Sequence, residues 1–272
     1  MTAANLKISA KAFDGFRKLI YEQAGITLSP LKQSLVEGRL SKRLRHYDIQ
    51  SYDEYFHMVT GQSSDSELQI VIDLLTTNET YFFRESQHFE FLEKNILPNV
   101  RTGRPFRIWS AASSTGQEAY SIAMLLADKI QLSGNWQITG TDINSQVLDD
   151  ARLGLYPMEQ ALKIPDNYLR KYVLKGVREQ TGKMLMDKKL KAHVLFESLN
   201  LIGNWPNHLK DFDVVFLRNV MIYFDEETKS TLVNKIAQRI KSGGYLFVGH
   251  AESLHGMCNE VSLIQPSIYQ KE

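Results

Sequence analysis

The sequence predicts an α/β fold: an open, mostly parallel sheet, preceded by an all-helical N-terminal domain and interrupted by a small antiparallel β-subdomain. Three observations predict it. Residues 9–75 carry apolar side chains at helical spacing and show no alternating strand pattern. Phe106–Ala111 and Trp136–Gly140 are short apolar runs on either side of a small-residue turn, Ala112–Gly116, and an amphipathic stretch beginning at Gln117. That order is strand, turn, helix, strand, the first half of a nucleotide-binding α/β unit. Between Tyr172 and Phe196, short apolar runs are separated by Gly176 and by Thr181-Gly182, the pattern of an inserted hairpin. The expected division is an N-terminal domain over 1–76 and an α/β domain over 77–272, with the insert at 172–196.

Composition bounds the rest. The chain has 272 residues, 43% of them hydrophobic, enough for a sizeable core, and a net charge of +1. No global electrostatic pull toward nucleic acid or acidic lipid follows from that charge. Cys258 is the one cysteine, so no internal disulfide forms and a cytoplasmic location is expected. No apolar run reaches the length of a membrane span, so membrane insertion is not expected.

Taken in order, Ser9 is the expected N-cap of a helix over 9–24 that Gly25 closes, with Phe13, Phe16, Leu19 and Ile20 on one face. A second helix covers 31–46. It holds Lys32, Arg39, Lys42, Arg43 and Arg45 against a single acid, Glu37, and places Lys32, Arg39, Arg43 and His46 on one stripe beside the apolar Val36, Leu40 and Leu44. A stripe of like charge is either a solvated outer face or a docking face for an acidic protein surface. The shortage of acids favours docking, and the absence of interleaved aromatic residues disfavours nucleic acid. Helices over 51–59 and 64–76 complete the domain.

The stretch Thr76–Glu85 packs four hydrogen-bonding side chains, three aromatics and Arg84 into a turn. Asn78 and Thr80 are equally readable as helix caps or ligand contacts, and Arg84 as a carboxylate fork or as a surface partner of Glu85. After the first two strands, helices are expected at 145–152 and 168–173. The sheet resumes at 194–199, 212–217 and 245–250. A helix over 226–241 is capped by Ser242-Gly243-Gly244, and a final hairpin flanks Pro266.

In an open parallel sheet, ligands bind beyond the carboxyl ends of the strands. The polar residues at those ends are Ser113–Glu118, Asp142, Asn200, Arg218-Asn219 and His250-Ala251-Glu252. The turn after the first strand has one glycine, Gly116, so it is not a dinucleotide fingerprint, and it lacks the Lys-Ser/Thr of a phosphate loop. A nucleoside without phosphates, such as S-adenosylmethionine (SAM), fits better than a nucleotide. Asp142 at the tip of the second strand can accept two hydrogen bonds from a ribose diol. The histidines show no zinc spacing, and no Gly-x-Ser-x-Gly elbow is present, so no metal is expected. His250 also reads as a backbone-bonded histidine, and Glu252 as a surface acid.

Four stretches, 78–85, 109–124, 212–225 and 249–252, together resemble the chemotaxis receptor glutamate methyltransferases, the CheR family. The run Arg218-Asn219-Val220-Met221-Ile222-Tyr223-Phe224-Asp225 is the most specific of them. The resemblance implies a Rossmann-like SAM-methyltransferase sheet and a SAM-dependent protein-glutamate O-methyltransferase whose product is S-adenosylhomocysteine. It implies Asn78, Thr80, Arg84, Glu118, Asp142, Asn200, Leu201, Arg218 and Asn219 as SAM contacts, with Glu118 at the amino-acid end. The helix over 31–46, through Lys32, Arg39, Lys42 and Arg43, resembles the element that docks on the cytoplasmic helical region of methyl-accepting chemotaxis receptors. The inserted hairpin is similar to one that tethers a receptor's C-terminal peptide in some members. Gln117 and Ala119 depart from the family's Glu and Pro in the loop.

A glutamate side chain has a reference pKa of about 4.3 and arrives ionised at neutral pH, so methylation needs no general base. Arg84 and Tyr223 are the expected orienting groups near the transferred methyl. The rival functions are a methyltransferase of small molecules or RNA and a catalytically degenerate SAM/SAH-binding interaction module.

Overall fold

The computed structural model describes residues 6–61, 65–100 and 103–272. Ser64, which begins an expected helix, lies outside the described residues. The chain divides into two compact units: residues up to Thr77 together with Tyr223–Thr228, and Asn78–Ile222 together with Lys229–Glu272.

The first unit is helical, with α1 (Ala10–Ala24), α2 (Gln33–His46), α3 (Tyr52–Val59) and α4 (Asp65–Leu75). Ser9 caps α1 by accepting from the Ala12 amide at 3.0 Å, and Gly25 ends it in the left-handed conformation. Ser51 caps α3 in the same way through Glu54. Phe13, Phe16 and Ile20 of α1 are buried, as are Val36, Leu40 and Leu44 of α2, the faces their spacing predicts. Leu31 and Lys32 belong to a 3₁₀ turn led by Pro30, so α2 starts two residues later than its periodicity implies.

The second unit is the α/β domain. It contains α5 (Ser86–Phe91), β1 (Phe106–Ala111), α6 (Gln117–Lys129), β2 (Trp136–Asp142), α7 (Ser145–Leu153), β3 (Leu155–Pro157), α8 (Asp166–Tyr172), β4 (Val173–Lys175), β5 (Lys183–Met186), α9 (Lys188–Lys191), β6 (Val194–Ser198) and β7 (Phe212–Leu217). Then come α10 (Glu226–Ala237), whose first turn belongs to the other unit, β8 (Ile240–Val248), β9 (Val261–Gln265) and β10 (Ile268–Lys271). Seven strands form one sheet in the order β6-β2-β1-β7-β8-β10-β9. The first five are parallel to their neighbours, and the terminal hairpin joins β8 antiparallel through β10. The chain winds outward from β1 through β2 to β6 and restarts on the other side of β1 at β7. The connections therefore diverge between β1 and β7, the kind of switch point at whose carboxyl end open α/β sheets bind their ligands. The central strands are buried on both faces, with Ile108, Trp109, Val214, Val215 and Phe216 all fully buried. α6 is buried around almost its whole circumference because it lies between β2 on one side and α8 and α9 on the other.

Two local expectations are revised. The inserted sheet has three strands in the order β3-β5-β4, so it recruits Leu155–Pro157, upstream of the expected limit at 172. Three residues ending in proline are too short to show a period. At the far end of the insert, Lys188–Lys191 is a helical turn, and Val194–Ser198 belongs wholly to the main sheet beside β2. The second revision concerns Ser242-Gly243-Gly244. Helix α10 stops at Ala237, and β8 already begins at Ile240. The glycines sit inside β8, where its register with β7 shifts, and Gly243 has φ +74°.

Candidate functional site

The rim is assembled from four loops. The loop after β1 makes the tightest turn. Ala112, Ser114 and Gly116 are all left-handed, and a Cβ on Gly116 would come within 2.9 Å of the Ala151 methyl and 3.0 Å of the Phe196 ring. The turn aims the Ser114 amide at Asp142, which is buried at the end of β2. Asp142 Oδ2 accepts from the Ser114 amide at 2.8 Å, and Oδ1 accepts from the Asn144 amide at 3.0 Å. Ser114 Oγ donates to the Asn78 carbonyl at 2.9 Å, which anchors the loop ahead of α5 to the same turn.

Glu118 stands in the first turn of α6, where the helix dipole favours a carboxylate. Ser110 Oγ donates to it at 2.6 Å, and Arg218 Nη1 lies 3.2 Å away. Burial pushes the Glu118 carboxyl above its ordinary range, while Arg218, Ser110 and Arg84 pull against that rise. Arg218, at the end of β7, has a side chain only 1% exposed. Its Nη2 donates to the Arg84 carbonyl and to Glu85 Oε2, whereas its Nε and Nη1 have no hydrogen-bond partner among the described residues.

Glu85 was readable in sequence as a surface partner of Arg84. It instead accepts from Arg218 and, at 3.1 Å, from the Asn219 side-chain amide. Burial raises its pKa, but Arg218, Asn219 and His250 outweigh burial, and the carboxyl lies below its ordinary range. Arg84 itself donates to the Glu79 carbonyl and lies over the Tyr81 ring. Glu252 is buried, which removes the surface-acid reading. Its carboxylate accepts from the Asn219 and Gly249 amides at 2.8 and 2.7 Å, and from the Ile222 amide at 3.3 Å. It thereby ties the loop after β7 to the loop after β8. A Cβ on Gly249 would fall 2.5 Å from Asn219 Nδ2 and 2.7 Å from Glu252 Oε2, so a side chain there would push both groups out of place.

Arg218 thus contacts the Arg84 carbonyl and Glu118 directly, Glu85 bridges Arg218 to Asn219, and Ser114 links Asn78 with Asp142. Asn200 follows β6, the strand beside β2. Its side-chain carbonyl accepts from the Ile202 amide, and Leu201 is buried next to it. Thr80 is half-buried in the loop that carries Asn78 and Arg84. Phe83, Glu85, Ala112, Ser114 and Asn219 are all non-glycine residues with φ near +50 to +60°. Such conformations cost about 1 kcal/mol or more each and concentrate where a site fixes its backbone.

Tyr223 groups with the helical unit, where its carbonyl accepts from the Thr27 amide. The basic stripe of α2 divides in two. Arg39 donates to the carbonyls of Leu75 and Thr76 at the end of α4. Arg43 makes a paired contact with Glu67 at 2.8 and 2.6 Å. Lys32 and Lys42 are exposed. The acid that relieves the stripe lies on α4 and is invisible from α2 alone.

Two family models cover this architecture. Residues 78–269 match "CheR methyltransferase, SAM binding domain", and residues 11–76 match "CheR methyltransferase, all-alpha domain". The chain belongs to the CheR methyltransferase family. Chemotaxis protein methyltransferases of Borreliella burgdorferi, Salmonella typhimurium and Escherichia coli are 37%, 36% and 35% identical to it. The alignments cover 98%, 97% and 97% of this chain and 96%, 91% and 92% of those proteins. The fold class, an α/β SAM-methyltransferase domain with an all-helical N-terminal domain and a small antiparallel sheet, is that of this CheR chain. Among the described residues no helix is long and apolar enough to cross a membrane.

Proposed function

We propose that this CheR chain is a SAM-dependent protein-glutamate O-methyltransferase acting on chemotaxis receptors, forming glutamyl methyl esters and S-adenosylhomocysteine. The observation that carries the reading is the buried guanidinium of Arg218. It is fixed between Glu85 and Glu118 and keeps two nitrogens without a hydrogen-bond partner among the described residues, at the carboxyl end of the sheet. Nη1 is in an ion pair with Glu118, and a buried donor without a hydrogen bond, such as Nε, costs about 1–3 kcal/mol, a cost that a ligand carboxylate relieves.

The residues fit SAM as the methyl donor. Asp142, at the tip of β2, presents a carboxylate for the ribose hydroxyls, positioned by the Ser114 and Asn144 amides it accepts from. Glu118 offers an acceptor for the amino group of the methionine end, and Arg218 offers donors for its carboxylate. Asn78, Thr80, Asn200, Leu201 and Asn219 complete the proposed contacts. SAM supplies a methyl group on a sulfonium, already a good leaving group. The substrate carboxylate is ionised at neutral pH, so the chain's task is to orient and desolvate it. Arg84 is the orienting group we assign. A matching role for Tyr223 stays a proposal that its place in the helical unit neither requires nor uses.

Receptor docking is assigned to two exposed lysines, Lys32 in the turn before α2 and Lys42 on α2. The engaged Arg39 and Arg43 hold the helix in place. The edge of the inserted sheet, with Leu174 and Val177 exposed, offers a strand for a receptor's C-terminal peptide. A cytoplasmic location is part of the same proposal, since the receptor region acted on would be cytoplasmic.

The test is transfer of label from methyl-tritiated SAM to receptor-bearing membranes. Base-labile label on the receptor is the expected result. Base-stable label, or label on a small molecule, would replace the glutamate assignment. SAM binding without any transfer would identify a degenerate binding module.

A further inference from the structure

We propose that Glu85, His88 and His250 form a binding site for a divalent first-row transition-metal ion, for which zinc is the probe. One ligand atom from each lies within 4.8 Å of the other two. His88 Nδ1 is 3.6 Å from Glu85 Oε2, and His250 Nε2 is 3.9 Å from the same oxygen. The two imidazoles stand edge to face with centroids 5.2 Å apart.

The tautomer of His88 makes this more than proximity. The ring is 1% exposed, and its Nε2 lies 2.7 Å from Ser267 Oγ. The single hydroxyl hydrogen of Ser267 points to the Pro266 carbonyl at 2.6 Å. Ser267 Oγ therefore accepts, and Nε2 carries the ring proton. Nδ1 is left with a lone pair, has no hydrogen-bond partner among the described residues, and faces the Glu85 carboxylate. Lone pair opposite anion is repulsive, and a cation between them converts it into attraction. An imidazole whose second nitrogen donates to a fixed oxygen is the usual arrangement of a metal ligand.

The donor set is two imidazoles and one carboxylate, which suits zinc, nickel, cobalt or copper better than magnesium or calcium. Ligand bonds of about 2.0–2.2 Å require neighbouring ligand atoms roughly 3.4 Å apart. The His88–Glu85 pair already meets that. His250 is 45% exposed and closes the remaining distance by a side-chain rotation. Further coordination positions face solvent on the His250 side and take water. Arg218 also lies on Glu85 Oε2 and competes with the ion, which keeps the affinity below that of a closed structural site. No spacing motif advertises this constellation, because His88 and His250 come from α5 and the loop after β8, far apart in sequence.

The test uses the full-length, untagged chain freed of metal by a chelator. It is titrated with zinc by calorimetry and with cobalt by visible absorption. The expected result is one equivalent bound, with ligand-field bands for cobalt. His250→Ala should weaken binding at least about tenfold, and Ser267→Ala about tenfold through loss of the oriented imidazole. His208→Ala, which removes an exposed histidine 2.7 Å from Glu197, should leave binding unchanged. Because His250 is exposed, its variant folds, as a melting curve would verify. Absence of saturable binding, or binding lost in His208→Ala but retained in His250→Ala, overturns the proposal.

Discussion

At the scale of single residues, the rim works through carboxylates whose surroundings differ. Asp142 is held by two backbone amides, Glu118 is buried against Arg218, and Glu85 is kept ionised by Arg218 and Asn219. Asp142→Ala is expected to weaken SAM binding at least about 100-fold, since two charge-assisted hydrogen bonds contribute about 1.5–3 kcal/mol each. Calorimetry measures that loss, and near-native affinity would remove Asp142 from the ribose. The same substitution strips the Ser114 and Asn144 amides of an acceptor, so a small drop in melting temperature accompanies it while the sheet remains. Asp142 and Glu118 were legible in the sequence because each sits at a fixed place in a strand-turn-helix-strand pattern. Glu85 was not, and Glu252 stood at the same edge with a surface acid as its other reading. Their partners, Arg218 and the Asn219 and Gly249 amides, come from distant loops that only the sheet brings together.

At the scale of elements, the helical unit shows how a local reading of charge misleads. Seen along residues 32–46, five basic residues against one acid look unrelieved. The structure inserts Glu67 of α4 between α2 and α3, where it accepts from Arg43, from Tyr55 at 2.6 Å and from Tyr47 at 2.8 Å. Burial raises the Glu67 pKa, but these donors outweigh burial and hold it below the ordinary range. The sign of the pH effect follows. A group with a depressed folded pKa contributes stability that is complete above its unfolded value, about 4.3, and is lost as pH falls through the folded value. Glu67→Gln should therefore cost about 1.5–3 kcal/mol at pH 7, the range for hydrogen bonds to charged groups. Its deficit against the parent chain should narrow as pH drops below the ordinary carboxylate range, as followed by denaturant melts. A deficit constant with pH would show that the charge of Glu67 is not what ties α2 to α4.

At the scale of the whole molecule, the proposed function divides the labour between the two units: the sheet would grip the methyl donor and the helical unit would offer a charged surface to the receptor. The engaged and free cations of α2 make that division testable. Lys32→Glu with Lys42→Glu reverses two exposed charges and touches neither the Glu67 network nor the rim. Receptor methylation should fall about tenfold or more, because reversed charges at an interface mainly slow association. The fall should shrink as salt rises, since charges beyond a Debye length of about 8 Å at physiological ionic strength are screened. SAM affinity and melting temperature should match the parent chain. Arg39→Glu with Arg43→Glu should instead lower the melting temperature, because it breaks the cap of α4 and the pair with Glu67. If the lysine pair leaves methylation at every salt concentration where the parent chain has it, docking does not run through α2, and the basic stripe is a solvated face whose inner half is structural.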